Sequence, residues 1–244
     1  MTLRLFVDGP LVAGRDFTLP PGATRHAQVR RVQPGDALVL FDGRGSDWPA
    51  TVLAVGRSAV QVRVGDAIPV RCELPVAVTL ALVMPANERM DALVEKATEL
   101  GVAAIQPLHA ARSVLRLGGE RAERKRAHWQ AIAEAACEQC GRARVPVLAP
   151  VLDLEAWLPQ APAGTRLLLS LAAGAVPLPA VAAATAPVIT LSGPEGGLAP
   201  EEETAARAAG FVPVDLGPRV LRADTAPLAV LAWLALQNPR PMGG

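Results

Sequence analysis

Two glycine-containing segments near the carboxyl end of the chain have the composition of a ligand-binding site. An apolar run at 188–191 leads into residues 193–197 (GPEGG), and a run at 211–216 leads into residues 217–222 (GPRVLR). A helical pattern follows each segment. Strand, glycine loop and helix form the repeating unit of α/β sites, whose ligands lie beyond the carboxyl ends of the strands. Glycine permits positive φ and close backbone approach to a ligand, and we expect a side chain at Gly196 to fill that space.

Neither segment has the signature of a common phosphate-binding loop. The first lacks both the Lys-Ser/Thr pair of a P-loop and the G-x-G-x-x-G spacing of a dinucleotide-binding fold. As a pair, GPEGG and LGPRVLRADTA resemble the carboxyl-terminal motifs of the RsmE family, which are ribosomal RNA methyltransferases of the SPOUT (trefoil-knot) superfamily. In that family the second motif usually reads LG-x-R-hydrophobic-LR-T-E-T-A. Ala223 and Asp224 replace the usual Thr-Glu, which keeps the acidic residue.

Two further segments extend the resemblance over nearly the whole chain, and it is weakest at the amino end. The stretch from Ala86 to Val114 is similar to the KATELGV region of the family, although Met84-Pro85-Ala86 stands where family members often have a lysine. Residues 134–142 (EAACEQCGR) match the family pattern EA-x-EQ-x-x-R. This match predicts that Glu138, Gln139 and Arg142 line the site, and helix-capping contacts are the alternative.

The resemblance implies an α/β chain with two domains. Residues 73–244 are expected to form a parallel-sheet domain of the SPOUT type, with a carboxyl-terminal trefoil knot, that binds the cofactor and dimerises. Residues 1–72 are expected to form a small all-β, PUA-like barrel that binds RNA. The implied activity is methylation of N3 of a uridine in 16S ribosomal RNA of the small subunit, with S-adenosyl-L-methionine as cofactor, by a homodimer in the cytoplasm.

We predict three sets of site residues. The catalytic set is Arg222, Asp224 and Thr225. The cofactor-binding set is Leu169, Leu171, Gly193, Glu195, Gly196, Gly197, Leu216, Gly217, Val220 and Leu221. The RNA-binding set is Arg4, His26, Arg30, Arg31, Arg89, Arg112, Gln139 and Arg142.

The chemistry of such a reaction is compatible with these residues. Methyl transfer from a sulfonium is a displacement that needs in-line placement more than a protein nucleophile. N3 of uridine must lose its proton and is hidden in Watson–Crick pairing, so the base must be unpaired or flipped out. Arg222 is the candidate that favours the uracil anion. Asp224 could take the proton, or it could cap the last helix.

The amino-terminal part has the pattern of short strands. Val60, Val62 and Val64 alternate with polar residues, and a turn at 56–58 separates them from the run 51–55, which predicts a hairpin. The sequence predicts a short helix here that carries the basic residues Arg25, His26, Arg30 and Arg31. Residues 1–72 hold nine arginines against six aspartates, a net charge of +3, whereas residues 73–244 carry −2. The smaller part is therefore the expected nucleic-acid surface.

After Cys72 the pattern alternates between strands and helices. We predict strands at 74–84, 102–108 and 166–171, and helices at 87–100 (capped by Asn87), 120–140, 200–210 and 225–237. Pro200 and the acids at 201–203 suit the first turn of a helix, so those glutamates receive no catalytic role. The last helix is nearly all apolar, which indicates either core or a subunit interface.

Metal and membrane functions are not expected. Cys137-x-x-Cys140 ends a helix and has no partnered pair of further ligands, whereas zinc needs four. The uncharged run 167–194 is interrupted by prolines and glycines, so we predict buried strand, loop, short helix and strand there. The chain starts without an apolar signal core, and three cysteines fit a reduced compartment.

Two other functions stay open at this point. The nearer alternative is an enzyme of the same knotted fold that methylates another RNA base. The farther one is a non-catalytic RNA-binding protein that acts through its barrel. The intact glycine loops disfavour the second alternative, because a site without a ligand has no need of close-approach glycines.

Overall fold

A computed structural model describes residues 2–172, 174–181 and 186–237 of the chain. The chain forms two compact units. The first comprises Met1–Glu73 together with Glu134–Val145, and the second comprises Leu74–Ala133 together with Pro146–Gly244. The division of function between residues 1–72 and 73–244 stays a prediction.

The first unit contains a six-stranded sheet, one complete helix and the carboxyl-terminal part of a second helix. Its elements are β1 (Leu3–Phe6), β2 (Asp16–Thr18), α1 (Pro21–Val29), β3 (Ala37–Phe41), β4 (Ser46–Val55), β5 (Val60–Val64) and β6 (Ile68–Pro69). The strand order is β1-β3-β4-β5-β2, with β6 against β4. All pairs are antiparallel except β1 with β3. The predicted hairpin is β4–β5, and the valines of β5 alternate with exposed residues, as their spacing predicts.

The core of this unit is built from short aliphatic side chains on the inner face of the sheet and on α1. Its buried members include Leu5, Ala27, Leu38, Leu40, Val52, Val60 and Val62. A smaller cluster joins Phe41 to Cys137 and Ala143. The segment from Glu134 therefore packs with the sheet although it lies far along the chain.

The second unit is a parallel sheet with helices. Its strands are β7 (Val78–Val83), β8 (Ala104–His109), β9 (Val147–Leu148), β10 (Leu152–Asp153), β11 (Thr165–Leu169), β12 (Val176–Pro177), β13 (Val188–Ser192) and β14 (Val212–Asp215). Its helices are α2 (Asn87–Glu99), α3 (Gly119–Cys140), α4 (Leu154–Trp157), α5 (Leu178–Val181), α6 (Pro200–Ala208) and α7 (Thr225–Leu236). Residues of α3 from Glu134 onward belong to the first unit.

The order of the strands places the loops that follow β11, β13 and β14 next to one another, at the carboxyl ends of the strands. The order is β10-β8-β7-β13-β11-β14-β12, with β9 against β8, and every pair is parallel. β13 is buried along its whole length, as expected for a strand covered on both faces. β11 lies between β13 and β14 in the sheet. The carboxyl ends of these three strands therefore lie side by side, the position where α/β folds bind ligands.

The predicted elements are present, with shifts of one or two residues at most ends, but β7 begins at Val78, four residues later than the predicted strand 74–84. α2 begins at Asn87, and its N-cap residue is Ala86 and not Asn87 as predicted. Gly101 follows this helix with φ +96°, which suits its role as a stop. The run 167–194 contains β11, β12, α5 and β13 rather than one long helix. None of the helices that the structure describes is both long enough and apolar enough to cross a membrane.

Candidate functional site

A cleft of about 600 Å³ opens at the carboxyl ends of β11, β13 and β14. Three segments form most of its wall: residues 169–172, residues 192–198, and residues 214–223 without Pro218. Arg112, Pro200, Glu203 and Ala226 complete the lining. All of these residues belong to the second unit. The volume lies within the range of about 300–1,000 Å³ that is usual for small-molecule sites.

The cleft brings together the residues that were predicted to bind the cofactor. All ten line it: Leu169, Leu171, Gly193, Glu195, Gly196, Gly197, Leu216, Gly217, Val220 and Leu221. Arg222 also lines it, whereas Asp224 and Thr225, which lie between the lining residues Ala223 and Ala226, do not. The structure thus places one of the three predicted catalytic residues in the cleft wall.

The glycines of the first loop differ in what they require. A Cβ at Gly193 would lie 2.8 Å from the backbone nitrogen of Leu198, so only glycine fits the loop as it stands. Gly197 has φ +67°, a conformation that favours glycine. Gly196 has neither constraint: a Cβ there would make ordinary contact with Arg112 Cδ at 3.7 Å. The requirement for glycine that was expected at Gly196, positive φ or close backbone approach, is therefore found at Gly193 and Gly197 instead.

Two arginines that were predicted to bind RNA support this loop. Arg112 Nη1 donates to the carbonyl oxygens of Gly196 (2.8 Å) and Leu198 (3.3 Å). Arg89 Nη1 lies 3.2 Å from Glu195 Oε1. Both side chains keep some exposure to solvent, so a contact with RNA from either one stays a prediction.

The amino end of α6 carries a contact that the sequence interpretation did not foresee. Glu202 accepts from the backbone nitrogens of Ala111 (2.7 Å) and Ala199 (2.8 Å), a structural use that agrees with its helix-start position. Glu203 instead lines the cleft and accepts from Ser170 Oγ at 2.7 Å. The sequence contained part of the information needed to place Glu203 in the cleft. Pro200, which also lines the cleft, is three residues earlier in the same helix, and residues at this spacing share a helix face.

Several polar groups of the cleft have no partner among the described residues. Ser192 is 3% exposed, and its Oγ makes no hydrogen bond there. The guanidinium groups of Arg219 and Arg222 are exposed and are likewise without a hydrogen bond or ion pair in the described part of the chain. A cleft with unused donors of this kind can bind a polar ligand.

The environment of Asp224 bears on its two possible roles. It occupies the N-cap position of α7 but makes no capping hydrogen bond through its side chain. Its Oδ1 is buried without a hydrogen-bond partner among the described residues. The structure therefore gives no support for the capping role.

Two of the predicted RNA-binding arginines have largely buried side chains that make contacts within the first unit. Arg4 donates to the carbonyl oxygen of Cys137 (2.7 Å), pairs with Asp47 (2.5 Å) and stacks over the Phe41 ring at 4.6 Å. The Arg142 side chain is 5% exposed and pairs with Glu73 at 2.5 Å. These contacts give both arginines a structural role, and an RNA contact from either would require its ion pair to open.

The remaining RNA-binding candidates are exposed. Arg30 and Arg31 directly follow α1, and Gln139 is exposed near the end of α3. His26 Nδ1 lies 3.2 Å from Glu138 Oε2. Arg31 has φ +56° and is the one non-glycine residue of the described chain with positive φ. That conformation costs a non-glycine residue roughly 1–2 kcal/mol.

Cys137 is a buried residue of the first unit. Burial raises the pKa of the Cys137 thiol to about 12, so it stays protonated at neutral pH. Its sulfur contacts the carbonyl oxygen of Arg144 at 3.5 Å. Within the described ranges, no group of three or more His, Cys, Asp or Glu side chains is arranged to hold a metal ion.

Comparisons with known proteins agree with this geometry. The family described as RNA methyltransferase domain matches residues 72–235, and that described as RNA methyltransferase PUA domain matches residues 19–65. The chain is 33% identical to ribosomal RNA small subunit methyltransferase E of Synechocystis sp., covering 96% of this chain and 77% of the relative. It is 36% identical to the protein of the same name from Mycobacterium tuberculosis, covering 88% and 83%.

A solved structure shows the same architecture. Ribosomal RNA small subunit methyltransferase E from Neisseria gonorrhoeae, bound to S-adenosyl methionine, matches with a TM-score of 0.92 and 35% identity over 97% of this chain and 98% of that one. The predicted fold class is confirmed: a small PUA-like sheet unit precedes a parallel-sheet unit of the SPOUT methyltransferase fold. The chain belongs to the ribosomal RNA small subunit methyltransferase E (RsmE) family.

Proposed function

We propose that this chain methylates N3 of a uridine in 16S ribosomal RNA, with S-adenosyl-L-methionine as the methyl donor. The observation that carries the proposal is the cleft, which gathers all ten predicted cofactor-binding residues in a chain of the RsmE family. The relative from Neisseria gonorrhoeae is bound to that cofactor. Ribosomal RNA as substrate implies a cytoplasmic location, which we propose with it.

The cleft fits this cofactor in size and in the chemistry of its wall. Backbone atoms of the loops 193–197 and 216–221 would hold the cofactor, together with residues 169–172. At Gly193 a Cβ would collide with the loop backbone, and the buried Ser192 hydroxyl next to it lacks a partner among the described residues. When bound, the cofactor supplies an electrophilic methyl group on a sulfonium.

The chain's own residues would prepare the uridine. Arg222 lines the cleft with a guanidinium that has no described partner, so it can stabilise the negative charge that develops on uracil as N3 loses its proton. Asp224 lies two residues further on, and we propose that its carboxylate takes that proton. In support, its Oδ1 lacks a described partner and its side chain does not cap α7. Thr225 begins α7 beside it.

We propose that the exposed arginines after α1 bind phosphates of the RNA. Arg30→Ala combined with Arg31→Ala should raise the dissociation constant for RNA and reduce the salt slope by about two, since each phosphate contact contributes about one to it. Cofactor affinity should not change, because the cleft lies in the other unit. RNA affinity measured across a salt series checks both expectations.

A matched control removes the same charge elsewhere in this unit. Arg15 and Arg71 are also exposed, and the Arg15→Ala, Arg71→Ala double variant should keep a steeper salt slope than the α1 variant. Equal slopes for the two double variants would contradict a specific RNA contact at Arg30 and Arg31.

We propose a homodimer formed through α7. One face of this helix contributes Val230, Leu231 and Leu234 to the core, whereas Trp233 is partly exposed and Leu236 is 79% exposed. A helix that is apolar on both faces needs a partner for the second one.

Leu236→Glu should therefore shift the chain toward a monomer in sedimentation experiments, because the new charge would be buried in the interface. Gln237→Glu adds the same charge at the next exposed position and should leave the assembly intact. A stable dimer with Glu at 236 would remove this face from the proposed interface.

The proposed activity is tested with the purified full-length chain and S-adenosyl-L-methionine labelled in its methyl group. Small subunits and free 16S ribosomal RNA from cells that lack the protein serve as substrates. We expect label in N3-methyluridine after digestion to nucleosides. Label in another nucleoside would favour a different target base, and RNA binding without any transfer would favour a non-catalytic protein.

A further inference from the structure

Three consecutive glutamates at the start of α6 have different surroundings. Glu201 is exposed, and Glu202 is engaged by the backbone nitrogens of Ala111 and Ala199. Of the three, Glu203 alone lines the cleft. The helix start explains the first two residues, but it does not require a carboxylate in the cleft wall.

The Glu203 carboxylate is held in a defined orientation. Ser170, which is 8% exposed, accepts a hydrogen bond from the backbone nitrogen of Ala172 (3.1 Å). Its hydroxyl proton is therefore directed to Glu203 Oε1, at 2.7 Å. Glu203 Oε2 has no hydrogen-bond partner in the described part of the chain. The pair thus presents one fixed acceptor oxygen that is not used within the chain.

The other charged groups of the cleft narrow the choice of ligand group. Glu195 pairs with Arg89, and Asp215 accepts from the backbone nitrogen of Gly217 at 2.8 Å. Each of the three acidic side chains of the lining keeps one oxygen without a hydrogen-bond partner among the described residues, but Glu195 and Asp215 are exposed, whereas Glu203 is partly buried and is fixed by the Ser170 hydroxyl. A carboxylate accepts hydrogen bonds only, so its ligand partner must be a hydroxyl or an N–H group.

The vicinal hydroxyls of a ribose suit this acceptor. An ammonium group has three donors and needs several acceptors around it, whereas Ser170 is already committed as a donor to Oε1. An acidic side chain that accepts from a ribose hydroxyl recurs in nucleotide-binding α/β folds. We propose that Glu203, positioned by Ser170, binds the ribose hydroxyls of the cofactor, an inference that rests on the proposed function.

Calorimetry on the full-length chain tests the inference. The ligands are S-adenosyl-L-methionine, S-adenosylhomocysteine, 5′-methylthioadenosine and the 2′,3′-dideoxy form of the last. Glu203→Gln should weaken the three diol ligands by about tenfold or more, the usual effect of losing a hydrogen bond to a charged group. It should also abolish the difference between methylthioadenosine and its dideoxy form. Ser170→Ala should weaken the same ligands less, and its effect should not add to that of Glu203→Gln.

Glu201→Gln is the matched control on the same turn and should bind every ligand as the unaltered chain does. Unchanged affinities in Glu203→Gln would overturn the inference. So would weaker binding of S-adenosyl-L-methionine and S-adenosylhomocysteine with methylthioadenosine unaffected, since that pattern places the carboxylate at the amino-acid part. If the variant does not fold, equal binding of methylthioadenosine and its dideoxy form by the unaltered chain overturns it. Failure of the unaltered chain to bind any of the ligands would overturn the proposed function and this inference together.

Discussion

Replacing Arg222 with alanine should lower the single-turnover rate of methyl transfer on the order of a hundredfold or more, while RNA and cofactor still bind. Arg222 lines the cleft, and its guanidinium has no partner among the described residues, so no structural contact of the side chain is lost. A donor aimed at charge that develops only in the transition state affects the chemical step rather than binding. The loss should therefore appear in the rate at saturating RNA.

Rapid-quench assays with enzyme in excess over RNA measure this rate directly. Arg207→Ala is a suitable control, because Arg207 is an exposed arginine of α6 outside the cleft lining. It should turn over at the normal rate. If Arg222→Ala also turns over normally on saturating RNA, Arg222 has no catalytic role and acts as a loop residue.

Gly193→Ala should lower cofactor affinity by roughly tenfold to a hundredfold, since adding a methyl group to a closely packed position costs about 1–3 kcal/mol. The added Cβ would lie 2.8 Å from Leu198 N and 3.0 Å from Gly197 C, both backbone atoms. The loop must open to relieve these contacts, and its opening changes the wall that the cofactor would meet.

Gly196→Ala is the natural comparison because it adds the same group three residues away. Its Cβ would meet Arg112 side-chain atoms at ordinary distances and needs no positive φ. We expect a change of severalfold at most. Equal affinity of the Gly193→Ala and Gly196→Ala variants, measured by calorimetry on folded protein, would show that the packing of Gly193 does not shape the site.

The cleft could be located from the sequence because the loops that line it are continuous segments. Residues 193–197 and 216–222 each follow a strand directly, so a parallel sheet brings their ends together. The Ser170–Glu203 contact could not be predicted in the same way. It joins the end of β11 to the start of α6, and only the packing of these two elements decides which of three adjacent glutamates enters the cleft.

The arginines illustrate a second limit of sequence reasoning. Arg4, Arg30 and Arg142 are equivalent by residue type, yet Arg4 and Arg142 are held by carboxylates within the first unit, whereas Arg30 is exposed. The Arg4 contacts reach Cys137, 133 residues along the chain. A local pattern contains no information on a partner at that distance. For the same reason, the packing of residues 134–145 with the first unit was not predicted.

The most direct test of the proposed activity is reverse transcription of 16S ribosomal RNA from cells with and without this protein. Methylation at N3 blocks Watson–Crick pairing, so reverse transcriptase should stop next to the modified uridine. We predict a stop in RNA from the parental cells that disappears in cells lacking the protein and returns when the unaltered chain is supplied. A stop that persists unchanged in the cells lacking the protein would contradict the assignment of N3 of a 16S uridine as the target.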